Sequence, residues 1–276
     1  MNDSSVLFVV ALGLAVVAAL RGAWSPCGQS MISSITPLSE AGRGYRYGST
    51  AAYFVLGALV AGAVVGTGAA LLAVVVGRLE VDLSARLGVL AAGALVGAVV
   101  DAGFTPWRTP FLCRQVNENW LLQYRSWVYG GGFGFQIGAG VLTYIMTSAV
   151  FVTIAAAVLT ADAGRALTVM VVFAAVRGSA ILLTARVRSF ADLQMLHVRF
   201  ERWREPVRRL TIAGLGLSSA AWVSAAASSP WPGLVVAALA LAVTVAARPA
   251  DAGTDPSLAA SHPLSVSPSA SPRGLG

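Results

Sequence analysis

The residues best suited to chemistry lie in one stretch, Trp24 to Glu40, which reads WSPCGQSMISSITPLSE. Cys27 supplies a thiol, and a thiolate is the species that attacks disulfides. Pro26, directly before it, has no backbone N–H and clashes with the preceding turn, so a helix arriving from Val6 bends or breaks there. Gln29, Ser30, Ser33, Ser34 and Thr36 follow with amide and hydroxyl groups, and Pro37 marks a second interruption. Non-helical backbone at membrane depth is tolerated only where protein or a water-filled cavity covers it. Discontinuous membrane helices also tend to line sites. One reading is therefore a site at the break, with Gln29 and Ser30 on a cavity or path. The other is a helix end, with Ser25-Pro26 as its stop and the serines as solvated loop.

Two charges inside apolar segments are the next candidates. Arg177 sits in VVFAAVRGSAILL. An arginine at mid-bilayer costs about 2.5–3.5 kcal/mol on insertion scales, so it faces a partner or water unless it snorkels to the interface. Asp101, near the end of another apolar segment, is the carboxylate expected to pair with it. Arg21, about two helical turns before Cys27, is expected to favour the thiolate. The remaining chemistry is sparse. Cys27 and Cys113 are far apart and form no CxxC, and neither His197 nor His262 has a partner at ligand spacing. No metal site and no cofactor are expected.

The elements that must position these residues are membrane helices. The chain has 276 residues, 57% hydrophobic and only 11% charged, against about 25% charged in soluble domains. Mean hydropathy is +0.74. Seven apolar segments run roughly over 5–24, 49–77, 87–104, 132–160, 166–185, 210–228 and 231–247, and a span needs about 20 residues. The expected fold is all-α, a polytopic bundle of six to seven transmembrane helices over 1–248. The Pro/Ser/Ala-rich tail, 249–276, cannot bury a core and reads as disordered. Glycines such as Gly57, Gly62 and Gly97 favour close helix packing.

The formal charge of +7 comes from arginine, with no lysine in the chain. The arginines fall in the connections 21–48, 105–131 and 186–209, after the first, third and fifth segments. That is a topology signal and not a nucleic-acid footprint. By the positive-inside rule those connections are cytoplasmic, the N-terminus is outside and the C-terminal tail inside, in the plasma (inner) membrane. The start MNDSS has no basic residue, so the first segment reads as an uncleaved helix. Within the connections, 114–128 and 190–204 carry aromatic and aliphatic residues at three- and four-residue spacing. Both read as helices lying on the lipid surface.

The stretch GLAVVAALRGAWSPCGQSMISSITPLSEAGRGYRYGSTAAYFVLGALVAG resembles the opening of the CcdA/DsbD transmembrane family, the thiol–disulfide electron carriers of cytochrome c biogenesis and periplasmic reduction. Pro26-Cys27, Pro37, Arg43 with Arg46, and Gly57 with Gly62 carry the resemblance, over about residues 10–70. It implies two inverted three-helix repeats with a reactive cysteine in the first helix of each. The fourth helix departs from that pattern. It reads GFGFQIGAGVLTYIMTSAVFVTIAAAV, without cysteine or proline, and overlaying the two breaks puts Thr143 opposite Cys27. The other thiol, Cys113, lies in the preceding connection. The resemblance thus implies a thiol–disulfide oxidoreductase in which Cys27 and Cys113 pass reducing equivalents across the membrane from a thioredoxin-like partner. The alternative keeps the scaffold without redox chemistry, as a small-solute or ion transporter whose path is lined by the polar break, Thr143, Thr147 and Arg177. An accessory or assembly protein with no turnover is a third reading.

Overall fold

The computed structural model of the chain describes residues 3–105 and 119–247. Cys113, Arg108, Arg114 and the tail 249–276 lie outside the described residues, as does the first part of the expected surface helix over 114–128. The described chain is all-α. In order it forms α1 (Asp3–Gly22), α2 (Pro26–Ser34), α3 (Pro37–Gly42), α4 (Tyr47–Arg78) and α5 (Leu83–Asp101). Then come α6 (Trp120–Gln123), α7 (Ser126–Ala139), α8 (Ala149–Leu159) and α9 (Ala163–Ser179). A 3-10 segment (Ala180–Arg186) extends α9, and α10 (Phe190–Ala226) and α11 (Pro230–Ala246) close the chain.

Four of these helices are long and apolar enough to cross a membrane: α1, α4, α5 and α9 with its extension. Helices α8 and α11 are shorter but equally apolar. The chain is a multi-pass membrane protein by helix composition. In α1 the buried positions Leu7, Ala11, Leu14 and Ala18 form a stripe at three- and four-residue spacing, and Arg21 continues it. Helix α4 packs so closely on α7 that side chains are excluded. A Cβ on Gly134 would stand 1.9 Å from the Phe54 carbonyl oxygen, and one on Gly57 2.1 Å from that of Gly131. Small residues at these crossings let the backbones meet.

Three expectations change. The fourth segment, 132–160, is not one span but two helices, α7 and α8, separated at 140–148. The sixth segment and the expected surface helix over 190–204 are one helix, α10, of 37 residues. At 1.5 Å per residue it is about 55 Å long, well beyond a bilayer core. Pro206 lies inside it without ending it. The described part of 114–128 is not one amphipathic helix either. It is the single turn α6, an extended Tyr124 and Arg125, and then α7.

The connections gather at two ends. At one, Trp24 Nε1 donates to the Phe200 carbonyl at 2.7 Å, Thr184 Oγ1 to that of Ile35 at 2.9 Å, and Arg208 Nη1 to that of Asp101 at 2.7 Å. At the other, Arg165 donates to the Ser4 carbonyl at 3.0 Å and Arg86 to that of Leu159 at 3.1 Å. The main core joins α1, α5, α8, α9 and α10 around Leu14, Leu90, Phe173, Leu215 and Trp222. A second cluster near the first end holds Cys27, Met31, Phe54, Tyr129, Phe133 and Ile181.

Candidate site at two helix breaks

The first break is three residues long, Ala23 to Ser25. Ser25 is extended and its side chain accepts from the Gly28 N–H at 3.1 Å, a helix N-cap. Pro26 takes the first helical position, where a missing N–H costs nothing. A Cβ on Gly28 would lie 2.6 Å from the Ala23 carbonyl oxygen, so only glycine fits there. The turn places Cys27 in the first turn of α2, 1% exposed. The second interruption is built alike. Thr36 and Ser39 form a capping box and Pro37 opens α3.

Arg177 comes to the first break from α9, 2% exposed. Its guanidinium lies over Gly22, where a Cβ would be 2.9 Å from Cζ. Nη2 donates to Thr143 Oγ1 at 3.3 Å, and Cζ stands 5.8 Å from the centre of the Phe173 ring. Nε has no hydrogen-bond partner among the described residues. Gly22, Gly28, Met31, Phe54, Ile137 and Arg177 enclose a cavity of about 10 Å³, room for about one water.

The second break runs from Gly140 to Ser148, with Gly140 at φ +74°. Thr143 and Thr147 are buried within it. The carboxylate of Asp101, from the end of α5, accepts from the Thr147 hydroxyl, and from Ser148 N and Oγ at 3.0 Å each. It therefore sits on the N-terminus of α8, where orphan N–H groups and the helix dipole favour an anion.

The structure gives Asp101 and Arg177 separate hydrogen-bond partners. Asp101 does not pair with Arg177, because the α8 terminus takes its carboxylate. Arg21 stays on the buried stripe of α1. Arg177 instead reaches the first break, where its guanidinium packs over Gly22. Thr143 accepts from the same guanidinium. Gln29 and Ser30 are half-buried. Gln29 lines a separate pocket against Leu196, His197 and Glu201 of α10.

A further buried group escaped the sequence reading. Glu40 is fully buried and its carboxylate accepts from Arg43 Nη1 at 2.7 Å, Thr50 Oγ1 at 2.6 Å and Tyr129 OH at 2.7 Å. Charge-assisted bonds of this kind compensate the burial of a carboxylate. They tie α3 to α4 and α7. The available signal was the Glu40/Arg43 spacing of three; nothing local points to Tyr129.

The fold and the two breaks define a multi-pass helical membrane protein with a buried thiol and arginine, and a carboxylate, near its two interrupted helices. No family model matches the chain, and no solved structure matches it. Among curated proteins it is similar to methylamine utilization protein MauF. It is 32% identical to that of Methylorubrum extorquens over 178 residues, 60% of this chain and 59% of the relative. It is 31% identical to that of Paracoccus versutus over 170 residues, 59% and 60% of the two chains. With that of Paracoccus denitrificans it shares 32% over 177 residues, 60% of each. The chain thus spans about three-fifths of the length of the relatives it matches. Their name is not that of the CcdA/DsbD family.

Proposed function

We propose that the protein is a membrane thiol–disulfide carrier serving methylamine utilization, the process for which its relatives are named. The observation that carries this reading is the setting of Cys27. Its side chain is buried in the first turn of α2, at the break where the Arg177 guanidinium packs over Gly22. A helix N-terminus and a neighbouring cation both stabilise a thiolate. Cys113 is the resolving thiol of the proposal, and a thioredoxin-like protein the donor of electrons. The basic end of the bundle faces the cytoplasm of the inner membrane, with the N-terminus outside and residues 249–276 on the cytoplasmic side.

Cys27→Ser keeps size and polarity but removes thiol exchange. It is expected to abolish methylamine-dependent growth of a strain relying on this protein, and Cys113→Ser is expected to do the same or to trap a mixed disulfide. Arg177→Gln is expected to slow alkylation of Cys27 at neutral pH. Full activity of the Cys27→Ser, Cys113→Ser double variant would end the redox reading.

The second break favours a second reading, a path for a small solute or ion, because Asp101, Thr143 and Thr147 put a carboxylate and hydroxyls at membrane depth. Under that reading Cys27→Ser is tolerated and Asp101→Asn abolishes activity.

A further inference from the structure

A groove of about 650 Å³ opens at the arginine-rich end, between the 3-10 segment and the first half of α10. That volume suits a small amphiphile or part of a lipid. Trp24, Leu182, Leu183, Met195, Phe200 and Trp203 make its apolar walls. Leu182, Leu183, Met195 and Trp203 are each more than half exposed, so the walls run out onto the lipid-facing surface. Two guanidiniums, Arg186 and Arg199, line the same groove, and neither forms an ion pair among the described residues. Asp192 also lines it, but its carboxylate is held at 3.0 and 2.9 Å by the backbone N–H groups of Arg188 and Ser189, which cap α10.

We propose that this groove binds an anionic phospholipid of the surrounding leaflet, its phosphate between Arg186 and Arg199 and an acyl chain along Leu182, Leu183 and Met195. Three features combine in one place: an apolar trough continuous with the lipid-facing surface, two arginines with no carboxylate partner, and two indoles at its rim. Arginine forks match phosphate oxygens, and tryptophan favours the headgroup level. The groove also touches the first break. Trp24 stacks on Phe200 with ring centres 4.9 Å apart while its N–H donates to the Phe200 carbonyl. A lipid seated there presses α10 onto the residue three before Cys27. The inference does not depend on the redox reading.

The test uses the full chain purified in a neutral detergent and titrated with phosphatidylglycerol or phosphatidylcholine, with bound lipid counted by native mass spectrometry. One phosphatidylglycerol is expected to bind at least tenfold more tightly than phosphatidylcholine. Arg186→Gln with Arg199→Gln is expected to remove that preference. Arg46→Gln with Arg125→Gln, an equal loss of charge at exposed positions of the same end outside the groove, is expected to leave it intact. Equal loss in both pairs, or no preference in the unsubstituted chain, would overturn the proposal. A second measurement does not need the arginine variants to fold. In the unsubstituted chain, phosphatidylglycerol with brominated chains is expected to quench tryptophan fluorescence more than brominated phosphatidylcholine does, and Trp203→Phe to remove most of the excess. An excess unchanged in Trp203→Phe places the lipid elsewhere and also overturns it.

Discussion

The two helix breaks differ in what makes them. The first is built from its own sequence. Ser25 caps α2, Pro26 fits the first turn, and Gly28 lets the chain fold back on the Ala23 carbonyl. The second is held from outside. Its nine residues contain no proline, and the α8 N-terminus is capped by Asp101 from α5, while Thr143 is met by Arg177 from α9. One break is a local turn with neighbours packed on it, and the other exists because its neighbours hold it open. They also divide the chemistry: the thiol is at the first, the carboxylate at the second, and Arg177 reaches both.

The strongest way to break this comparison is Asp101→Ala. It leaves the Thr147 hydroxyl and both Ser148 donors without their acceptor at the α8 terminus. Losing a charged acceptor for buried donors costs about 3 kcal/mol. A thermal unfolding scan in detergent is expected to show a loss of several degrees, with faster hydrogen exchange at the backbone amides of Ser148 and Ala149. Unchanged exchange there would mean that the second break, like the first, holds itself.

The difference explains what could be read in advance. Ser25-Pro26 and Thr36-Pro37 are chemical statements about their own backbone, so the first interruptions and the long apolar helices α1, α4 and α5 were legible. The break in the fourth segment was not, because GAGVLTYIMTSAV is as apolar as a continuous span and its carboxylate comes from another helix. The continuity of α10 was missed for the opposite reason. The arginines of 186–209 read as a connection between spans, yet they and Pro206 lie within one helix, where a proline costs about 3 kcal/mol and packing of the rest can offset it. Arg177 was given Asp101 as its partner because that is the carboxylate inside an apolar segment, and nothing in the sequence shows that the α8 terminus takes it. Arg21 is six residues from Cys27, but the Ala23–Ser25 turn lies between them and Arg21 stays on the α1 stripe.

A smaller effect is expected at Gly140. It ends α7 at φ +74°, a conformation that L side chains rarely adopt, and a Cβ there would be 2.7 Å from Phe173 Cε1. Gly140→Ala is expected to cost about 1–3 kcal/mol from backbone strain, with some relief if the ring swings aside. Chemical or thermal unfolding of the purified chain would show it. A neutral result would mean that the nine-residue segment has room to re-form its turn.

The smallest effect sharpens the comparison most, because it concerns the residue that announces the break. A proline inside a helix disrupts it, which suggests that Pro26→Ala would fuse α1 to α2. The geometry argues otherwise. Pro26 occupies the first position of α2, where its N–H would have no intrahelical acceptor. The break precedes it, in the extended Ser25 and its bond to Gly28 N. The approach of Gly28 to the Ala23 carbonyl fixes the chain reversal independently of Pro26. Pro26→Ala therefore costs only the added backbone freedom of the unfolded chain, about 0.5–1 kcal/mol. Ser25→Ala removes the cap itself and is expected to cost about 1 kcal/mol. It is also expected to expose Cys27 to alkylation, which Pro26→Ala is not. Comparing thiol-labelling rates of the two variants reads the geometry directly. Faster labelling in Pro26→Ala than in Ser25→Ala would show that the proline, and not the cap, holds the first break.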